Sequence, residues 1–169
     1  MNFIIAQVLG GIALILVCIS YFLKKKSNFM ILQTIANFFY ASAFLVVEAY
    51  VGFALIMISL FRCIYLYYAE KNSFKYTLHF IPLFITLYIT FTVILWNNPY
   101  DFMPLISSTI FTLGFTIKNI QTMRYILIIP NTILVLYNLL STTYTSAILD
   151  FIEVIVIVVA IIKFKNQKQ

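Results

Sequence analysis

The sequence has little charge and few of the residues that soluble or secreted domains depend on. Only 9% of its 169 residues are charged, whereas a soluble domain carries about 25%. Too few charged side chains remain to cover a surface in water, which excludes a soluble globule. Two cysteines are too few for a secreted disulfide framework. The sequence also lacks a glycine-rich phosphate loop and paired histidines. We therefore expect no enzyme, no metal site and no other cofactor.

What the sequence has instead is apolar residues, which make up 63% of the chain. They form seven runs that qualify as candidate membrane spans, since a spanning helix needs about 20 apolar residues. The runs are Phe3–Leu23, Phe29–Val47, Ala49–Tyr68, Tyr76–Trp96, Phe102–Ile117, Tyr125–Leu140 and Tyr144–Phe164. The sequence therefore predicts an all-α, multi-pass membrane protein with one transmembrane domain.

The basic residues indicate the orientation of these spans. With seven spans, all 11 lysines and arginines fall on one side of the membrane, and Glu48 and Asp101 fall on the other. Lys and Arg mark the cytoplasmic side, so we expect the N-terminus outside and the C-terminus in the cytoplasm. Arg62, within the third span, is expected to reach the cytoplasmic surface along its stem rather than to bind an anion. The net charge of +6 then reflects contact with lipid headgroups, and no nucleic-acid partner is expected.

Recurring residues predict an internal duplication. Gln7 and Gln33 are 26 residues apart, as are Pro104 and Pro130, and one offset of 97 superposes the two pairs. The predicted layout is a first triple-helix repeat, a linker helix and a second triple-helix repeat, over residues 3–70, 76–96 and 101–165. Because the linker adds one crossing, both triplets start outside and the repeat is parallel.

Short motifs along nearly the whole chain carry a resemblance to a known family. They are Gln7, Ile19-Ser20-Tyr21-Phe22 before a basic loop, Gln33 with Asn37, Gly52 followed by Arg62, Pro104, a basic loop ending at Arg124, and Tyr137-Asn138. With the 3+1+3 plan, they resemble the SWEET/PQ-loop (MtN3-like) transporter superfamily and, within it, the YgjV-type bacterial inner-membrane family. The resemblance implies a bacterial inner membrane, alternating access, and bending of helices at Pro104 and Pro130. Neither a sugar nor a riboside is implied, because the prolines, asparagines and tryptophans of those transporters are largely missing.

Amide side chains inside the spans are candidate solute contacts. Gln33 and Asn37 are one turn apart in the second span, and Asn131 and Asn138 share one face of the sixth. Polar groups in hydrocarbon are costly without partners, so they face the bundle interior or a wet cavity. We expect these four amides to contact a small polar solute. The alternative is hydrogen bonding between helices, worth about 1 kcal/mol per contact.

Asp150 and Glu153 are the two charges that the topology does not need. A rise of about 1.5 Å per residue places them about 9 and 14 Å along a span that starts near Tyr144, where no basic residue is available. Burial and mutual repulsion disfavour two carboxylates at that depth, so we expect one shared proton and a role in proton or cation coupling. The alternative is a protonated carboxyl that is bonded to Asn138 as structural glue.

The sequence therefore predicts a transporter or facilitator of a small polar solute that works by alternating access and is linked to a proton or a cation. The second class of function is a membrane sensor or assembly protein that transports nothing and whose polar residues only hold helices together. The lipid bilayer and the solute are the expected partners. Whether the chain forms a homo-oligomer stays open.

Overall fold

The computed structural model describes residues 2–48, 50–71, 77–94, 96 and 98–165. Over these residues the regular structure is entirely helical, as predicted. It consists of α1 (Asn2–Tyr21), α2 (Lys26–Val46), α3 (Tyr50–Lys71), α4 (Thr77–Ile94), a short 3-10 helix (Pro99–Asp101), α5 (Phe102–Thr116), α6 (Ile120–Leu140) and α7 (Tyr144–Phe164). Lys75 and Lys168, which the charge argument uses, lie outside the described residues.

Several of these helices have the length and composition of membrane spans. In the described part of the chain, four are long and apolar enough to cross a bilayer: Ile4–Tyr21, Lys26–Val46, Gly52–Lys71 and Ile120–Leu140. Large apolar side chains point away from the protein on many helices, for example Ile15 (60% exposed), Phe61 (57%) and Ile162 (67%). In water such exposed apolar side chains would promote aggregation, whereas in a membrane lipid tails surround them.

The chain divides into two compact units, Met1–Phe80 and Ile81–Gln169, here called unit 1 and unit 2. In unit 1, α2 packs against both α1 and α3. Its core holds Phe29, Met30, Ala36 and Cys63, all fully buried. In unit 2, α6 packs in the same way against both α5 and α7. In both units the second helix of the triplet is therefore the central one.

The second helices of the two units, and the starts of the third helices, follow one spacing. Adding 94 to the bounds of α2 gives those of α6, and the same step takes Tyr50 at the start of α3 to Tyr144 at the start of α7. The turns that follow α2 and α6 also match, because Glu48 and Thr142 both adopt left-handed backbone, with φ of 59° and 58°. A left-handed residue after the last turn is a common way to end a helix.

Buried positions follow the same spacing of 94. Six buried residues of α2 coincide with the six of α6: Lys26 with Ile120, Phe29 with Met123, Met30 with Arg124, Gln33 with Leu127, Ala36 with Pro130, and Asn37 with Asn131. This corrects the offset of 97 expected from the recurring residues. Identities recur by chance in an apolar sequence of few residue types, whereas burial follows helix geometry. At 94, Asn37 and Asn131 are the amides in equivalent positions.

Candidate functional site

In unit 1 the predicted amides of α2 bond two different neighbouring helices. Gln33 is buried, and its Nε2 donates to Ser20 Oγ of α1 at 3.0 Å. Ser20 in turn donates to the main-chain oxygen of Val17 at 2.6 Å. One turn further along, Asn37 Nδ2 donates to Cys63 Sγ of α3 at 3.6 Å. The amide nitrogens of both residues therefore serve to join the three helices.

Two basic residues of unit 1 lie elsewhere than the sequence suggested. Arg62 was expected to reach the cytoplasmic surface along its stem, and the structure places it in α3 with only 5% of the residue exposed. Lys26 was treated only as an orientation charge. It begins α2, is nearly buried, and its Nζ lies 3.2 Å from Glu70 Oε2 near the end of α3. The sequence feature that could have indicated this ion pair is Glu70, the single acidic residue in the last turns of α3.

In unit 2 the structure brings together two of the predicted site residues, Asn138 and Asp150. Asn138 Nδ2 donates to Asp150 Oδ2 at 2.7 Å, which is the short distance typical of a charge-assisted hydrogen bond. Asn138 Oδ1 accepts from Thr143 Oγ1 at 2.8 Å. Asn138 and Asp150 are half-buried and Thr143 is exposed. The sequence did not indicate Thr143 as part of this group.

The short turn between α6 and α7 explains this arrangement. Only three residues separate the helices, and Thr142 takes the left-handed backbone that reverses the chain. Thr143 then donates from its main-chain nitrogen to the main-chain oxygen of Asn138 at 2.9 Å. Its hydroxyl lies 3.1 Å from that same oxygen. The turn thus holds the hydroxyl beside the Asn138 amide, while α7 runs back along α6 and presents Asp150 to it.

The other acid of the predicted pair, Glu153, lies one turn further along α7 and is 9% exposed. At the same end of unit 2, Tyr137 Oη of α6 is 3.4 Å from Asp101 Oδ1. No group of three or more His, Cys, Asp or Glu side chains that could hold a metal ion occurs in the described part of the chain. The chemistry that this end of unit 2 offers is therefore that of carboxyl, amide and hydroxyl groups.

Asn131 is buried inside unit 2, where a solute cannot contact it in this conformation. It is 1% exposed, and its Nδ2 donates back to the main-chain oxygen of Leu127 in the same helix, at 2.8 Å. The neighbouring Pro130 is in the middle of α6, and its main-chain oxygen accepts from Ser107 Oγ of α5 at 3.0 Å. In this conformation Asn131 stabilises the helix rather than lining an accessible surface.

The two predicted bending points are not equivalent. Pro130 interrupts the hydrogen bonding of α6 in mid-helix, where proline bends a helix. Pro104 is the third residue of α5, in the first turn, where a missing N–H breaks no bond within the helix. Pro130 is therefore at a position where proline bends a helix and Pro104 is not, while bending of either helix during transport stays a prediction.

Sequence reasoning missed a second polar cluster in unit 2, centred on Arg124. The guanidinium is almost fully buried at 1% exposure and lies 4.7 Å from the centre of the Phe164 ring. Its Nη1 donates to Gln121 Oε1 at 2.7 Å, and Gln121 Nε2 donates to the oxygen of Ile161 at 2.9 Å. These contacts join the start of α6 to the end of α7.

Comparison with known proteins gives one match. A family model described as a bacterial inner membrane protein matches residues 4–168, which is nearly the entire chain. No curated protein and no solved structure matches the chain. The match therefore bears on family and cellular location.

Proposed function

This chain belongs to the Imp-YgjV family of bacterial inner membrane proteins, and we propose that it carries a small polar solute across that membrane by alternating access, linked to a proton or a cation. The family and the long apolar helices identify it as a multi-pass membrane protein. The observation that carries the transport proposal is the placement of an acid, Asp150, within the apolar helix α7, where its Oδ2 accepts from an amide, Asn138, rather than from a cation.

Placing the ionisable side chain of Asp150 within α7 costs free energy, so its presence requires an explanation. The sequence has no basic residue between Arg124, near the start of α6, and Lys163, near the end of α7, so no cation lies on the stretch of this hairpin that holds Asp150. A carboxylate within an apolar helix is costly, and such residues commonly belong to ion or proton pathways. Two neutral side chains would join α6 and α7 without that cost. The acid is therefore better explained by coupling than by adhesion between helices.

Unit 1 supports this argument, because it has apolar side chains at the two positions that correspond to Asn138 and Asp150. At the spacing of 94, Asn138 corresponds to Phe44 and Asp150 to Ile56. Phe44 packs directly on α3, since a Cβ added at Gly52 would come within 2.7 Å of its Cδ1. In unit 1 the turn between the second and third helices thus forms with apolar side chains at these two positions. The amide and the acid in unit 2 are not required for that turn.

The proposed architecture is the SWEET-like one, with seven spans, a parallel 3+1+3 repeat, the N-terminus outside and the C-terminus in the cytoplasm. The spacing of 94 shared by helix bounds, left-handed turns and buried positions supports the repeat. Within this proposal, Gln33 and Asn37 contact the solute through their carbonyl oxygens, because their nitrogens are bonded. Asn131 becomes accessible only when α6 bends at Pro130.

The test is solute-driven proton movement in proteoliposomes that contain a pH-sensitive dye. A panel of sugars, polyols, amino acids and small organic acids is added outside, and the internal pH is followed. We expect at least one solute to change the internal pH with the wild type and not with Asp150→Asn. Asp101→Asn is the matched control, since it removes an acid at the same end of unit 2 and should retain activity. A panel without effect, or full activity of Asp150→Asn, would contradict the proposal.

A non-transporting sensor or assembly protein is the second candidate function. The bonds from Gln33 to Ser20 and from Asn131 to Leu127 favour it, since they are satisfied inside each unit and need no solute. A thermal-shift screen of the purified protein against the same panel at two pH values separates the two functions. A transporter is stabilised by its solute, whereas a scaffold is stabilised by none.

A further inference from the structure

We propose that Asn138 is a proton-operated amide switch, whose side chain turns over when Asp150 takes up a proton, with Thr143 completing the hydrogen bonds in both states. The inference deepens the proposed function, since it names the proton rather than a metal cation as the coupled ion. It concerns proton binding by the protein alone, so it can be tested without any solute.

The arrangement in the structure suits an unprotonated Asp150, because Oδ2 acts as a hydrogen-bond acceptor. An amide nitrogen can only donate and a carboxylate can only accept, so the 2.7 Å bond runs from Asn138 Nδ2 to Asp150 Oδ2. The Thr143 hydroxyl donates to Asn138 Oδ1 at 2.8 Å, which holds the carbonyl on the side away from the acid. The opposite amide orientation would place two oxygen acceptors together, with no hydrogen between them.

Protonation of Asp150 on Oδ2, the oxygen that faces the amide, reverses every donor in this series of hydrogen bonds. A protonated Oδ2 becomes a donor and needs an acceptor, which the Asn138 carbonyl provides once the amide turns over. The amide nitrogen then faces Thr143 and donates to its Oγ1. The hydroxyl hydrogen in turn moves to the main-chain oxygen of Asn138, which already lies 3.1 Å from it. The two ends of an amide have nearly the same size, so the heavy atoms need not move.

The balance of the step is simple. One proton is taken from water onto Asp150 Oδ2, no covalent bond between heavy atoms changes, and nothing is oxidised or reduced. Both states satisfy the amide, the hydroxyl and the carboxyl oxygen that faces the amide. Thr143 is the positioning residue, because its hydroxyl can both accept and donate at this place. Valine there would serve neither state, and serine would serve both.

The same geometry argues against a metal cation. Hard cations bind several oxygen ligands at once. Here the amide presents its nitrogen to the carboxylate, and its oxygen is bonded to Thr143. No cluster of acids, cysteines and histidines suited to a metal occurs among the described residues. A single carboxylate opposite an N–H donor is a site for a proton.

Other titratable groups near this site must be separated from Asp150. On α6 the neighbour is Tyr137, which brings with it Asp101 from the 3-10 helix. On α7 itself they are Tyr144, at the start of the helix, and the buried Glu153. The variants Asp101→Asn and Glu153→Gln therefore belong in the experiment as controls.

The test is infrared difference spectroscopy of the full-length protein in lipid nanodiscs, titrated between about pH 4 and pH 9, with and without isotope-labelled asparagine. The wild type should show a protonated-carboxyl band and an asparagine amide band that change with the same midpoint. Both changes should be lost in Asp150→Asn and kept in Asp101→Asn. Glu153→Gln removes the neighbouring acid, so it should move the common midpoint to lower pH while both changes remain. Asn138→Leu, which unit 1 tolerates in the form of Phe44, should remove the amide change and so assign it.

Substitutions of Thr143 distinguish an amide that turns over from one that keeps a fixed hydrogen bond. Thr143→Val should keep the carboxyl titration and lose the amide change, whereas Thr143→Ser should keep both. If Thr143→Val does not fold, the wild type and Asn138→Leu decide the matter. A carboxyl band that titrates in the wild type without an amide change overturns the switch, and so does the absence of any carboxyl titration. Solute transport that persists in either case would leave the proposed function standing.

Discussion

Exchanging the Lys26–Glu70 ion pair for the residues at the same place in unit 2 tests the structural equivalence of the two units. At the spacing of 94, Lys26 corresponds to Ile120 and Glu70 to Phe164. Both residues of unit 2 are buried, at 3% and 5% exposure. The perturbation consists of Lys26→Ile, Glu70→Phe and the double variant. Unit 2 shows that an isoleucine and a phenylalanine can occupy these positions in a helix triplet whose second helix has the same bounds at this spacing.

The magnitude follows from burial of the pair. Removing one partner of a fully buried ion pair costs about 3–5 kcal/mol, because the other charge is left in the interior. The Lys26 side chain is 5% exposed and that of Glu70 is 26% exposed, so water reaches the acid more easily. We therefore expect about 2 kcal/mol for Lys26→Ile and about 3 kcal/mol for Glu70→Phe. The double variant should lie within about 1 kcal/mol of the wild type, since an apolar pair can replace a buried ion pair.

The assay is equilibrium unfolding of the purified protein in mixed detergent micelles, with the four proteins arranged as a double-mutant cycle. A coupling energy of about 3 kcal/mol or more between the two positions is the expected result. A double variant that is as unstable as the sum of the two single variants would refute the equivalence of these positions. Denaturant slopes that differ among the four proteins would show a change in the unfolding reaction, so the slopes are compared first.

Three further predictions concern backbone, packing and topology. Thr142→Gly should raise the free energy of unfolding by about 1 kcal/mol, because a β-branched residue holds φ of 58° there. Thermal unfolding measures this change. An unchanged or lower stability would show that the turn is not strained. Gly52→Ala should lower the free energy of unfolding by about 1–3 kcal/mol, because the new methyl group meets the Phe44 ring. The control Gly10→Ala adds a methyl group with nothing within 4 Å, so it should leave stability unchanged or raise it. Equal effects of the two variants in the same unfolding assay would contradict the packing of Phe44 on Gly52. A reporter fused after Gln169 should read as cytoplasmic, and a periplasmic signal would overturn the seven-span topology.

The seven helices could be predicted from the sequence, because long apolar runs leave few alternatives. The predicted Tyr144–Phe164 matches α7 residue for residue, since Thr and Ser residues mark its start and lysines mark its end. α6 begins at Ile120 rather than at Tyr125. Asn119 caps it by accepting from the nitrogens of Gln121 and Thr122. Hydropathy alone stops at Arg124, because it treats a buried arginine as a surface charge.

The candidate site could be predicted only in part. The pairing of Asn138 with Asp150 follows from their positions near the facing ends of two helices joined by a short turn, and the sequence indicated it as one alternative. The role of Thr143 depends on the left-handed backbone at Thr142, which no residue type in the turn signals, since threonine disfavours that conformation. The burial of Arg62 and Arg124 depends on which neighbours cover them, and periodicity does not carry that information.

The most direct test of proton-linked transport through Asp150 is accumulation of solute driven by a pH gradient. Proteoliposomes are loaded at one pH and diluted into another, and uptake of a radiolabelled solute identified in the panel is followed over time. The wild type should accumulate the solute above its external concentration, and this accumulation should collapse when a protonophore is added. With Asp150→Asn, the internal concentration should not exceed the external one. Accumulation by Asp150→Asn to the level of the wild type would contradict the account.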